Sequence, residues 1–198
     1  MNRAVHRDEM GLAEVAAGTH LRAMDAAEGQ ASALVTEAKR STALVDGVRR
    51  LQMHFQRQVL AFKHVLLRGE RPDQHSRFTG EFDHERQAVE GELRTLRAMT
   101  AGDGDAIARL DAFSASYAKL TASYRNAWAM IELAETWGEG QHRADDYMVG
   151  RDAEPLALLD ALTAALLAKA ASALVGSQQA GAQALHAVRE AGASEMGV

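Results

Sequence analysis

The chain has no cysteine, only two prolines in 198 residues, and few aromatic side chains: five Phe, three Tyr and two Trp. Without cysteine there is no disulfide, no thiolate metal site, no thioether-bound haem and no thiol nucleophile. Scarce proline and sparse aromatics, set against abundant alanine, argue against sandwiches and barrels, which need frequent turns and β-branched strands. Nor does one sign of charge dominate. The 22 Lys and Arg and 27 Asp and Glu are interspersed and give a net charge of -5, so the chain carries no electrostatic footprint for nucleic acid. Uninterrupted apolar runs are missing too. The nearest approach, Pro155 to Val175, is broken by Asp160 and Lys169 and reads as an amphipathic packing helix rather than a membrane span. The first ten residues, MNRAVHRDEM, lack the apolar centre of a signal peptide. Two settings follow: a cytoplasmic protein, or a piece taken from between targeting or membrane segments.

What is present is helix-forming sequence of a length that suits one domain, residues 1–198. Four helical runs are expected, over about 4–68, 72–100, 105–136 and 152–191. The first ends at Gly69, and Pro72 just beyond can begin a new helix but cannot continue the old one. Gly102 and Gly104 flank Asp103, which is suited to cap the third helix. In that third run Ile107, Leu110, Phe113, Tyr117, Leu120 and Tyr124 are spaced as an apolar face. A loop is expected at Gly138 to Gly140, and Gln141 to Arg151 reads as a loop or a short helix leading into the last run, with Pro155 in that run's first turn. Two central helices of about 30 residues between two much longer ones predict an all-α fold: an elongated antiparallel up-down-up-down four-helix bundle with adjacent termini. The outer portions, Ala4 to about Ala31 and Gly176 to Ala193, have few large apolar groups and are expected to gain stability by pairing with a second subunit, which predicts a homodimer.

The most informative stretch is Phe55 to Gly69, FQRQVLAFKHVLLRG. Phe55, Val59, Phe62 and Leu66 fall at helical spacing and predict a buried seam, while His54, Gln58 and Arg68 recur along an adjacent polar stripe. The stretch resembles the segment that ends the first helix of the four-helix-bundle periplasmic sensor region of bacterial methyl-accepting chemotaxis proteins and some membrane-bound diguanylate cyclases. That pattern runs Phe, then Gln-Val-Gln-Glu-Trp-Lys-Asn, then Leu-Leu-Arg-Gly. Phe55, Gln58, Val59, Lys63, Leu66, Leu67, Arg68 and Gly69 agree with it, and Leu60, Ala61, Phe62 and His64 depart from it. Arg77 to Phe82 with Glu85 is similar to the start of that family's second helix, and Asp145 to Asp152, leading to Pro155, to the entry into its fourth. The matches span about Phe55 to Leu162 in order.

The resemblance implies a non-enzymatic ligand-sensing input domain, periplasmic, tied to the membrane by flanking helices absent from this chain. A ligand mode that depends on the four departed positions does not carry across. The alternatives are a cytoplasmic helical adaptor acting through a helix face, and a di-iron-like metal bundle. The metal reading rests on two Glu-x-x-His pairs, Glu81 with His84 and Glu139 with His142, a spacing that puts a carboxylate and an imidazole on one helical face. The second pair lies beside Gly138 and Gly140, where a rigid helix is not expected, and both read as solvated surface. His54, His64, His75, His84 and His142 are each a conceivable single metal or haem ligand but read as ordinary polar residues. Trp128 and Trp137, with Tyr117 and Tyr124, read as core or dimer seam rather than an aromatic ligand cage. Neither a phosphate loop nor a nucleophile elbow occurs, so no catalytic residue, metal or cofactor is expected. The small-molecule ligand expected is an anion, held near the membrane-distal end of the first helix. Arg68 is the main contact there, because its guanidinium can make two parallel hydrogen bonds to a carboxylate or phosphate. Gln58, Lys63 and His64 assist, and Arg125 and Arg151 add charge.

Overall fold

The computed structural model describes the backbone of residues 2–195, and the described residues are helical throughout apart from short turns, with no strand among them. Five helices follow in chain order: α1 Asn2–Arg68, α2 Pro72–Met99, α3 Gly104–Glu132, α4 Trp137–Met148 and α5 Ala153–Glu195. Two compact units are formed. One contains residues 1–42 and 168–198, the other Ala43–Leu167.

Each helix boundary has a local cause. Between α1 and α2, Gly69 donates its N–H to Val65 O at 2.7 Å, and Pro72 takes the first position of α2, where a missing backbone donor costs nothing. Glycine is required at 69 by close approach: a Cβ there would lie 2.7 Å from the Trp137 ring and 2.4 Å from Val65 O. The α2 to α3 turn uses Gly102 at φ +89°, the left-handed conformation that glycine adopts without penalty. Asp103 caps α3 as expected, accepting from Ala106 N–H at 3.2 Å. Pro155 sits in the first turn of α5 and is buried.

The region after α3 differs from the sequence expectation. The third helix stops at Glu132, the turn is Leu133–Thr136, and Gly138 and Gly140 lie inside a helix. The Thr136 hydroxyl accepts from Glu139 N–H at 3.3 Å, and Glu139 places negative charge in the first turn. Gly140 is needed because α3 and α4 nearly touch there: a Cβ would lie 2.8 Å from Ile131 Cα and 3.0 Å from Ala134 Cβ. Backbone cannot yield as a side chain end would.

The core of the Ala43–Leu167 unit is built by α1, α2, α3 and the start of α5, with Ala144 added from α4. The α1 contribution is Leu44, Val48, Leu51, Phe55, Phe62 and Leu66, all buried, with Val59 partly so. Phe62 meets Phe82 of α2 at 6.1 Å and Tyr124 and Trp128 of α3 at 4.8 and 5.3 Å, ring centre to ring centre. Phe55 packs edge-on against Phe113 and Tyr117. The α3 face read from sequence is buried from Leu110 to Tyr124, and α5 adds Leu159, Leu162 and Leu166 at helical spacing. Polar contacts pin the same helices at the surface: Arg50 to Glu92, Gln52 to Asp160 and Arg97 to Asp111. By length and composition Ala153–Gln183 of α5 would also suffice to cross a membrane. In the other unit, Lys169 of α5 lies 4.0 Å from Glu37 of α1. Its exposed large apolar residues include Leu21, Met24 and Val35 on α1 and Leu174, Val175 and Leu185 on α5.

Burial pushes the Tyr117 phenol up to about 12, and burial followed by the charge of Asp152 pushes Tyr124 up as well. Unfolded tyrosine titrates near 10. Both folded values are raised, so this contribution is fully present below about pH 10 and is lost as pH rises through the folded values. For Tyr117 alone the loss approaches roughly 2–3 kcal/mol near pH 12. Urea unfolding at rising pH is expected to show a falling midpoint above pH 10, with a shallower fall in Tyr124→Phe. Equal slopes for wild type and variant would contradict this.

Candidate functional site

The end of α1 from Phe55 to Arg68 is surrounded by three recesses of the Ala43–Leu167 unit, and the residues expected to form one site are divided among them. Gln58 is in none. It is fully buried on the core face of α1, where the Tyr117 hydroxyl donates to its Oε1 at 2.8 Å and its Nε2 has no protein hydrogen-bond partner. Its step of three from Phe55 and four to Phe62 places it on the apolar seam. The polar stripe that sequence drew through His54, Gln58 and Arg68 is therefore not one surface. His54 is mostly buried, with Nδ1 2.6 Å from a Glu85 carboxylate oxygen.

His64 belongs to an open groove of about 510 Å³ between α1 and α2, with Arg57, Leu60, Arg77, Glu81 and His84 among its lining. Its ring stacks obliquely on Phe78 at 4.8 Å. Arg77 pairs with Glu81 at 3.0 Å, whereas Arg57 makes no ion pair among the described residues. Arg68 stands on an open surface with Leu67, Glu70, Arg71 and Gln74. Neither Gln58, Lys63 nor His64 lines that surface.

Lys63 lines the most enclosed of these three recesses, a cavity of about 200 Å³ bounded by α1, α3, α4 and the turn into α5. Val59, Phe62, Leu66 and Met148 give it an apolar floor, and Tyr124, Asp145 and Asp152 add polar groups. The turn that closes it contains Gly150 at φ +73°. Beside it the Arg151 guanidinium lies 4.0 Å over the Tyr147 ring and donates to Tyr147 O, and Arg151 is not among the residues that line the cavity. Arg125 is exposed. Asp145 and Asp152 line the same recess, and no local spacing links them to Lys63, because they lie eighty residues or more away in sequence.

The Glu-x-x-His pairs do not assemble. Glu81 is held by Arg77, Glu139 by Arg143 and His142 by Asp146, and no group of three His, Asp or Glu among the described residues could hold a metal ion. Trp128 packs on the core with Phe62 and Phe82, and His75 lies between Trp128 and Trp137 at 5.9 and 5.8 Å. Comparison of the chain with protein-family models, curated proteins and solved structures found no match.

Proposed function

We propose that this chain is a non-enzymatic signal-input domain of a bacterial chemoreceptor or related membrane-bound signalling protein, working outside the cytoplasm as a parallel homodimer. In this reading α1, α2, α3 and α5 form an antiparallel four-helix bundle, α4 leads into α5, and membrane helices flank the chain. The resemblance from Phe55 to Leu162 falls inside the Ala43–Leu167 unit, and both long helices extend out of that unit.

One observation carries the dimer. The exposed large apolar residues on the α1 part of this unit are Met53, Leu60 and Leu67, at 37%, 51% and 70% exposure and spaced every seven residues. Arg57 and His64 complete the alternating steps of four and three. Such spacing suits a helix that must meet another helix with the same repeat, and a second copy supplies one. Within the other unit, Leu21 and Val35 on α1 are two such repeats apart.

The test is a hybrid receptor in which the chain stands between the membrane helices and output module of a diguanylate cyclase. Leu60→Glu is expected to shift basal output by roughly fivefold or more, the scale of a coupling free energy between sites, whereas Ala108→Glu, on an exposed face of α3, leaves it unchanged. Equal output from wild type and Leu60→Glu would contradict the input role and leave the adaptor reading in its place.

A further inference from the structure

We infer that the cavity beside Lys63 is a binding site for a small zwitterion, an organic molecule with one ammonium and one carboxylate separated by a short apolar body. The inference takes from the signal-input reading only that a ligand is bound. Three charged side chains line this cavity: Lys63 from α1, Asp145 from α4 and Asp152 from the turn into α5. None of the three has an ion-pair partner within 4.0 Å among the described residues, and they do not pair with one another. Lys63 and Asp145 reach solvent and Asp152 is half-buried, so the recess presents both signs of charge to an entering molecule. A ligand bearing both signs would bridge them, with its carboxylate on Lys63 and its ammonium on the aspartates.

The uncharged groups fit the same assignment. Tyr124 is 2% exposed, and its hydroxyl has no hydrogen-bond partner among the described residues although it lines the cavity. The hydroxyl opens into the cavity, where a carboxylate oxygen would accept from it. Phe62 offers an aromatic ring and Val59, Leu66 and Met148 an apolar surface for the methylenes. Size sets the ligand class. A recess of about 200 Å³ suits a small molecule of this kind. A simple anion would leave the two aspartates opposing it, and a simple cation would meet Lys63.

The site also touches the elements a signal would use. Lys63 lies on the helix that carries the Leu60 stripe, and Asp152 immediately precedes α5. A zwitterion that draws these groups together favours one placement of α5 against α1, and only a difference in affinity between two placements can shift them.

Isothermal titration of the 198-residue chain with 4-aminobutyrate, flanked in the same series by glycine, β-alanine and 5-aminovalerate, tests the claim. Butyrate and n-butylamine serve as singly charged controls. At least one zwitterion is expected to bind, with both controls weaker by about 10-fold or more, since each lacks one charge-assisted contact. Lys63→Met and Asp145→Asn are each expected to weaken it by a similar factor while leaving the melting temperature within a few degrees. Lys63 and Asp145 are exposed, so both variants are expected to fold, and circular dichroism checks this. Absence of binding across the zwitterion series would overturn the proposal. Equal binding of butyrate, or binding unchanged in both variants, would do the same. Zwitterion binding with unresponsive hybrid receptors would keep the cavity and remove the input role, whereas responsive hybrids without zwitterion binding would remove only the cavity.

Discussion

Replacing Phe62 with alanine is expected to lower the unfolding free energy by roughly 3–5 kcal/mol, a large part of the roughly 5–15 kcal/mol available to a domain of this kind. The ring joins three helices: it lies on α1 and contacts Phe82 on α2 and Tyr124 and Trp128 on α3. Its removal costs the transfer free energy of the side chain and opens a cavity that large aromatic neighbours can fill only by leaving their rotamers. Chemical denaturation monitored by circular dichroism reads the loss directly. Phe62→Leu, which keeps most of the volume, is expected to cost less than half as much. A cost below about 1 kcal/mol for Phe62→Ala would show that the aromatic cluster is not the junction described here.

How much of this was legible in the sequence depends on where the determining signal lies. The turn at Gly69 and Pro72, the Asp103 cap and the α3 face from Leu110 to Tyr124 depend on neighbours within a few residues, and they occur as expected. A short helix is among the expectations for Gln141 to Arg151, but its start at Trp137, where a loop is expected, has an equally local signal. Thr136 and Glu139 have the spacing of a capping box, which outweighs the two glycines after it. Gln58 was misplaced for a different reason. Its amide suggested the polar face, but its steps from Leu51 and Phe55 and to Phe62 put it in the core, where Tyr117 satisfies its oxygen. Arg68, Lys63, His64 and Gln58 do not line one recess, because residues close in a helical sequence point in different directions. Successive positions turn by 100°, so Lys63 and His64 open into different recesses. The acidic residues that line the recess of Lys63 come from α4 and the following turn, and no local pattern announces them.

The second large effect concerns assembly. Leu60 is at the middle of the Met53, Leu60, Leu67 stripe, so in a parallel pair it faces its own copy. Leu60→Glu would replace the central apolar contact by two like charges facing each other. The expected result is a dimer dissociation constant raised by roughly 100-fold, equivalent to about 3 kcal/mol. Its effect on monomer stability is expected to be small, because the side chain is already half exposed. Sedimentation over a concentration series separates the two quantities, and an unchanged monomer–dimer equilibrium would count against the seam.

The most direct test of a signal-input dimer is disulfide cross-linking along α1, made clean by the absence of any native cysteine. Single cysteines are placed at each position from 53 to 67 and oxidised briefly at low protein concentration. The prediction is fast dimer formation at 53, 60 and 67 with weaker reaction at 57 and 64, since only these positions bring Cα atoms of two parallel helices within disulfide reach. Cross-linking without a seven-residue period, or none at 60, would contradict the account.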